Sequence, residues 1–498
     1  MGIILRKNFA ENIYSYSGTV IGFVNVVWLF PYVLEAEQFG LTRVMISIGI
    51  IGAQIASLGM GNVTVRYFPL FRNPERRHFG YLFLAAVIPL AGFLLLSLAG
   101  WLFQEPVIRF YSDESTLFGD YYTLLLPLLF FILYFHILEN YIRSLFDTVV
   151  ATFFQDILLR LFQTAVVLFY YLGWIPFGMF MWMFVGTFGL KTILMLCYIG
   201  FRRQLFVIPD FSILTASRVR SMTKYAAFSF LGGVTTKALG NIDLLMVGGM
   251  TNLAETAVYA VSLYLATMIK IPAKALSKIS QPLIAEAQYK NDIAMIELTH
   301  SKSSINQMLV GGLVFIIIGI NLDHIYRFLP DEYHAGVYVF MFIGIAKMID
   351  MTAGLNAAII KTSKWYRFDP YATLLLVLLT IITNIIFIPI FGITGAAMAT
   401  ALSVLIYNSL YALYLLFRLG IHPFSKKTIM GLALLVITLL VSWGLPVIPH
   451  WIADLILRSA IAIVIIISGI FIMNLSEDLQ VFIRQTVAAV SRRKDRKS

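Results

Sequence analysis

Lys270, Lys274 and Lys278, in the run MIKIPAKALSKISQP, set a cation on every turn of a segment otherwise composed to sit in lipid. Residues four apart on a helix drift only slowly about its axis, so the three ammonium groups form one stripe roughly 12 Å long. A lysine at the bilayer centre costs about 3 kcal/mol, and three in register about 9, unless water, a counterion or an anionic ligand meets them. The chemistry on offer is anion binding where the dielectric is low. No acid lies within one turn of the stripe, and Asp243, on the preceding apolar segment, is the candidate partner. Lys278 is placed to snorkel to the headgroups and Lys274 is intermediate, whereas the depth of Lys270 demands another explanation.

Other ions inside apolar runs come with neighbours. Glu139 and Arg143, like Asp156 and Arg160, are spaced four apart, and Lys347 and Asp350 three apart, so each set can pair on its own helix. These sets are either local ion pairs facing protein or the lining of a polar path. Arg66 closes one apolar run, and Lys237, Asn241 and Asp243 crowd another, where a lipid-facing helix would hold none of them. The acids Asp243, Glu139, Asp156 and Asp350 are therefore candidates for ion coupling as well as for pairing. Asn25, Gln54, Asn62 and Asn241 can bond sugar hydroxyls, although bonding between helices is the commoner use of membrane amides.

Enzymatic constellations are missing. The sequence has no paired-histidine helix, no cysteine cluster, no phosphate-cradling glycine loop followed by Lys and Ser or Thr, and no nucleophile elbow. No cofactor or metal is expected. The one cysteine, Cys197, lies in an apolar run and has no partner for an intrachain disulfide.

The elements that must position these residues are membrane helices. The 498 residues are 59% hydrophobic and 13% charged, with a mean hydropathy of +0.84, beyond what a soluble globular domain shows. Apolar segments long enough to cross a bilayer recur about fourteen times. The amino-terminal one follows Arg6 and Lys7, is too long for a signal-peptide core, and reads as a retained first span. The net charge of +11 is concentrated in alternate loops and in the tail SRRKDRKS. That distribution marks membrane orientation rather than nucleic-acid binding, and it places both termini in the cytoplasm. Opposite loops are short and acidic, as in Glu35 to Glu37 and Glu105 to Asp120.

The longest polar break, Arg202 to Ala226, separates six spans from eight. A faint echo links EAEQFGL before RYFP with NLAETAVY before ISQP, suggesting parallel six-span repeats. The expected organisation is an N-lobe at 1–204, a cytoplasmic linker at 205–223, a C-lobe at 224–420, a helix pair at 421–476 and a basic tail at 477–498. The fold class is all-α, polytopic, with two pseudo-symmetric six-helix lobes and an appended C-terminal pair.

The segments SLGMGNVTVRYFP, NIDLLMVGGMTNLAETAVYAVSLYLATMIKIPAKALSKISQPLIAEA, KMIDMTAGLNAAIIKTSKWYR and IPIFGITGAAMATALSVLIYN carry a resemblance. In order and spacing, with Asp243, Tyr259 and Pro282 followed by Gly392, Gly395 and Ala396, the chain resembles the polysaccharide or O-antigen flippases of the multidrug, oligosaccharidyl-lipid and polysaccharide exporter superfamily. The resemblance implies alternating access around a central cavity in the bacterial inner membrane, with a polyprenyl-pyrophosphate-linked oligosaccharide as substrate. It also implies membrane lipids and other polysaccharide assembly proteins as partners, and no nucleic acid. Lys270, Lys274 and Arg66, with Lys237 and Lys278, would then face phosphate, and the amides sugar. A lipid II flippase and a drug or cation exporter of the same superfamily stay open as alternatives, and a membrane glycan polymerase is disfavoured by the short outer loops.

Overall fold

The computed structural model describes the backbone of residues 2–111 and 116–495, and their side chains except at 2–9, 274, 275, 278, 279, 487 and 489–495. Part of the acidic loop Glu105 to Asp120, the side chains of Lys274 and Lys278, and most of the basic tail therefore lie outside the described residues. Every described element is a helix, as apolar runs without water to satisfy their amides require.

In chain order the principal helices are α1 (Ala10–Val33), α2 (Ala36–Ala56), α3 (Met60–Phe71), α4 (Tyr81–Leu102), α5 (Leu125–Ser144) and α6 (Thr148–Tyr171). They are followed by α7 (Phe177–Phe201), α8 (Ala216–Leu239), α9 (Ile242–Met250), α10 (Leu253–Thr267), α11 (Ile271–Tyr289) and α12 (Ile293–Ile320). The remainder are α13 (Leu322–Tyr326), α14 (Gly336–Thr352), α15 (Asn356–Thr362), α16 (Phe368–Leu419), α17 (Lys426–Trp443), α18 (Trp451–Ile472) and α19 (Glu477–Asp495).

Twelve of the described helices are long and apolar enough to cross a membrane. One of them, α16, has 52 residues and would run about 78 Å as a single rod, more than twice the hydrocarbon thickness. It is broken at Gly392, whose φ of 57° and ψ of −141° only glycine adopts without strain, so α16 supplies two spans. The fourteenth expected span, centred on Leu239, falls on α8 and α9, which are not among those twelve; Lys237, Asn241 and Asp243 lower the hydropathy there.

Packing divides the chain into two compact units, Met1–Val261 and Ser262–Ser498, the boundary falling inside α10. The first unit is pinned by an aromatic core in which Phe68 of α3 meets Tyr81 of α4 and Tyr141 of α5 edge to face, at 5.5 and 5.2 Å between ring centres. Two turns are π-wound, Val24–Leu29 in α1 and Phe153–Leu158 in α6. They belong to helices that approach closely: a Cβ on Gly18 would sit 2.4 Å from the Asp156 carbonyl oxygen. In the second unit Met308 and Leu309 of α12 pack with Leu434 and Leu435 of α17 and Ala462 and Ile466 of α18. Leu94, Leu95 and Leu98 of α4 are all more than half exposed, as a lipid-facing surface requires and a soluble one avoids.

The break in α16 is open to test. Gly392→Val forces a branched side chain into glycine's backbone region and is expected to cost about 1–3 kcal/mol, read as a lowered unfolding temperature in detergent. Gly186→Ala, into open space, is expected to stay within about 0.5 kcal/mol.

Candidate functional site

In the first unit, helices α2, α5, α6, α7 and α8 surround a polar cleft of about 280 Å³. Glu139 projects from α5, Asp156 and Arg160 from α6, Lys191 from α7 and Lys237 from α8, with Gln54, His136 and Gln163 between them. Glu139 accepts from Arg143 at 2.9 Å, and His136 Nδ1 lies 3.6 Å from its other oxygen. Asp156 and Arg160, four apart in sequence, act on each other through space, and Ser15 of α1 lies close to Asp156. Arg160 Nη1 is buried with no hydrogen-bond partner.

Lys191 was absent from the sequence reading. It is only 3% exposed, donates to Gln155 Oε1 at 2.8 Å and stands 3.7 Å above the centre of the Phe135 ring. A buried ammonium of this kind is stabilised by the ring quadrupole and one amide oxygen. The signal was available: Lys191 is a lone charge in the middle of the run FVGTFGLKTILML. The cleft thus gathers three cations and two carboxylates, with one positive charge left over before His136 is counted. Gln54, Gln155 and Gln163 stand among these ions.

In the second unit the lysine stripe begins at a break in the helix. Met268–Lys270 form a 3₁₀ turn, and Pro272 in the first turn of α11 restarts the helix beyond it. Lys270 leaves this turn to form an ion pair with Asp350 of α14. The other carboxylate oxygen of Asp350 takes a hydrogen bond from Asn408 Nδ2 of α16 at 3.5 Å. Lys347, three residues before Asp350, also attracts it through space. The partner of Lys270 is therefore an acid 80 residues further on, whereas Asp243, the partner expected from sequence, accepts from the Tyr259 hydroxyl at 3.0 Å in the first unit. Beside Asn408, α12, α14, α16 and α17 enclose an apolar cavity of about 440 Å³, with Phe315, Met348 and Leu435 in its wall.

The remaining candidates are dispersed. Arg66 is exposed and lies over the Tyr225 ring, 4.3 Å from its centre. Asn62 donates to the Ser229 carbonyl at 3.3 Å, and Asn241 to the Lys237 carbonyl at 2.9 Å. Asn25 is 2% exposed and ties the π-wound turn of α1 to α6, donating to Arg160 O at 3.1 Å and accepting from Thr164 at 2.9 Å. Gln54 reaches the cleft. No group of three or more His, Cys, Asp or Glu able to hold a metal occurs among the described residues.

A second network joins α13, α17 and α18, and its ions are not paired by local spacing alone. Asp454, at the start of α18, is 1% exposed and accepts from Arg458 Nε at 2.7 Å and from the Ile448 amide at 3.1 Å. His324 Nε2 of α13 lies 2.7 Å away, and Arg458 donates onward to the Ser442 and Leu445 carbonyls at 3.2 and 2.9 Å. These bonds lock the turn between α17 and α18.

The architecture is that of an all-helical, multi-pass membrane protein. In fold the chain is similar to the lipid II flippase MurJ in its inward closed conformation, with a TM-score of 0.74 at 14% identity, covering 93% of this chain and 99% of that one. It is similar also to an inward-facing multidrug resistance MATE family transporter of the MOP superfamily, with a TM-score of 0.64 at 11% identity over 81% and 94% of the two chains. No family model matches. One curated relative, the probable low-salt glycan biosynthesis flippase Agl15 of Haloferax volcanii, is 24% identical over 197 residues, which is 39% of this chain and 42% of that protein. The matched stretch spans less than half the length of that relative.

Asp454→Ala leaves Arg458 buried without its counter-charge and is expected to cost about 3–5 kcal/mol, measured as loss of thermal stability in detergent. The double variant Asp454→Leu with Arg458→Met is expected to recover most of that loss, because the stranded charge is gone.

Proposed function

We propose that this protein flips a polyprenyl-pyrophosphate-linked oligosaccharide, an O-antigen, capsule or exopolysaccharide repeat unit, from the cytoplasmic to the outer leaflet of the bacterial inner membrane by alternating access. The observation that carries the reading is the set of cations on membrane helices: Lys191, Arg160 and Lys237 around one cleft, and Lys270 at a break in another helix. A pyrophosphate head group is anionic and must cross hydrocarbon, where each unmet charge costs several kcal/mol. Cations inside the protein replace its counterions, amides such as Gln54 and Gln163 replace the water around its sugars, and the polyprenyl chain stays in lipid. Glu139, Asp156, Asp243 and Asp350 are the acids available for ion coupling. The similarity to a glycan biosynthesis flippase and to a lipid II flippase supports this class of cargo.

The likeness in fold to MurJ keeps a second reading, a lipid II flippase, in play. Deleting the gene separates the two: loss of surface glycan with intact wall synthesis is expected here, and arrested wall synthesis would establish the second reading. Drug sensitivity with unchanged glycan would overturn both. In a deletion strain complemented with Lys270→Gln at wild-type protein levels, glycan export is expected to fall about tenfold or more, the loss of one charge-assisted contact. Export at the wild-type rate would remove Lys270 from the cargo path.

A further inference from the structure

Lys270 is not a free cation waiting for a ligand. Its ammonium is occupied by Asp350, an anion supplied by the protein itself. The pair is also not sealed: the two side chains keep 37% and 33% of their surface accessible. Asp350 has alternative company. Asn408 already holds its other oxygen, and Lys347 attracts it from one turn earlier on α14. A carboxylate pushed off Lys270 is therefore not stranded in a low-dielectric region, which is the usual reason such pairs resist being opened.

We propose that Asp350 is a built-in stand-in for the anionic head group: it neutralises Lys270 in the empty protein and is displaced by cargo phosphate. This rests on the reading of Lys270 as a phosphate contact. The exchange is one anion for another on the same ammonium, and the displaced carboxylate is left to the Asn408 amide and the attraction of Lys347. It is selective by charge. A pyrophosphate diester carries more negative charge and more acceptor oxygens than one carboxylate, and outcompetes it. A neutral molecule has nothing to offer Lys270 and leaves the pair closed. Asp350 thereby acts as a specificity-determining residue that need not touch the cargo.

The test is binding of inorganic pyrophosphate to the purified full-length protein in detergent, followed by calorimetry in wild type, Asp350→Asn, Asp350→Glu and Lys270→Gln. Removing the competing charge is expected to tighten binding about tenfold in Asp350→Asn, Asp350→Glu is expected to stay near wild type, and Lys270→Gln is expected to lose binding. If Asp350→Asn proves poorly folded by thermal unfolding, Asn408→Ala serves instead. It keeps both charges, removes the hydrogen bond that anchors the carboxylate once Lys270 has let go, and is expected to weaken pyrophosphate binding by about twofold. Binding in Asp350→Asn no tighter than in wild type, with Lys270→Gln still defective, would overturn this inference alone, as would unchanged binding in Asn408→Ala. Binding insensitive to Lys270→Gln, or absent from every variant, would overturn the phosphate-contact reading and this inference with it.

Discussion

The constraint on which the rest of this protein depends is that no charge can stand unmet inside a bilayer. Nearly three-fifths of the chain is hydrophobic, and the helices turn leucines outward, so the surface is comfortable in lipid wherever it is apolar. Each ion carried on those helices then has to be answered by protein, by water or by a ligand. The answers differ from place to place.

Three kinds of answer occur. Asp454 and Arg458 are fully satisfied, by each other, by His324 and by backbone groups, which is how a fixed structural joint looks. Lys191 is met by one amide oxygen, the Phe135 and Phe188 rings and the nearby Glu139 and Asp156, and it shares its cleft with other ions of both signs. Lys270 is satisfied by a carboxylate that remains partly accessible and has other partners available. Stability favours the first arrangement. The second and third leave the ions less completely matched, and on the proposed function that is where cargo would meet them.

Much of the fold was legible because its cause is local. Hydropathy counts spans, and the Gly392 position was marked by the run IPIFGITGAAM, where proline and glycines interrupt an otherwise continuous apolar stretch of 52 residues. Spacing also identified the Glu139 and Arg143 pair, since four residues is one helical turn. Pairing across helices was not legible. Nothing in the neighbourhood of Lys270 points to Asp350, and the nearer acid in sequence, Asp243, turned out to bond Tyr259. Asn25 illustrates the same limit: an amide in a span announces a hydrogen bond, but only the crossing of α1 and α6 says that the bond goes to Arg160 and Thr164.

The sequence by itself determined that this is a polytopic helical membrane protein and that lysines and acids lie at depths where they need partners, because hydropathy and charge act residue by residue along the chain. The tertiary structure alone decided who those partners are. Which carboxylate neutralises Lys270, which ring shields Lys191 and which backbone carbonyls receive Arg458 depend on how distant helices pack, and packing depends on shape complementarity that no single stretch of sequence contains.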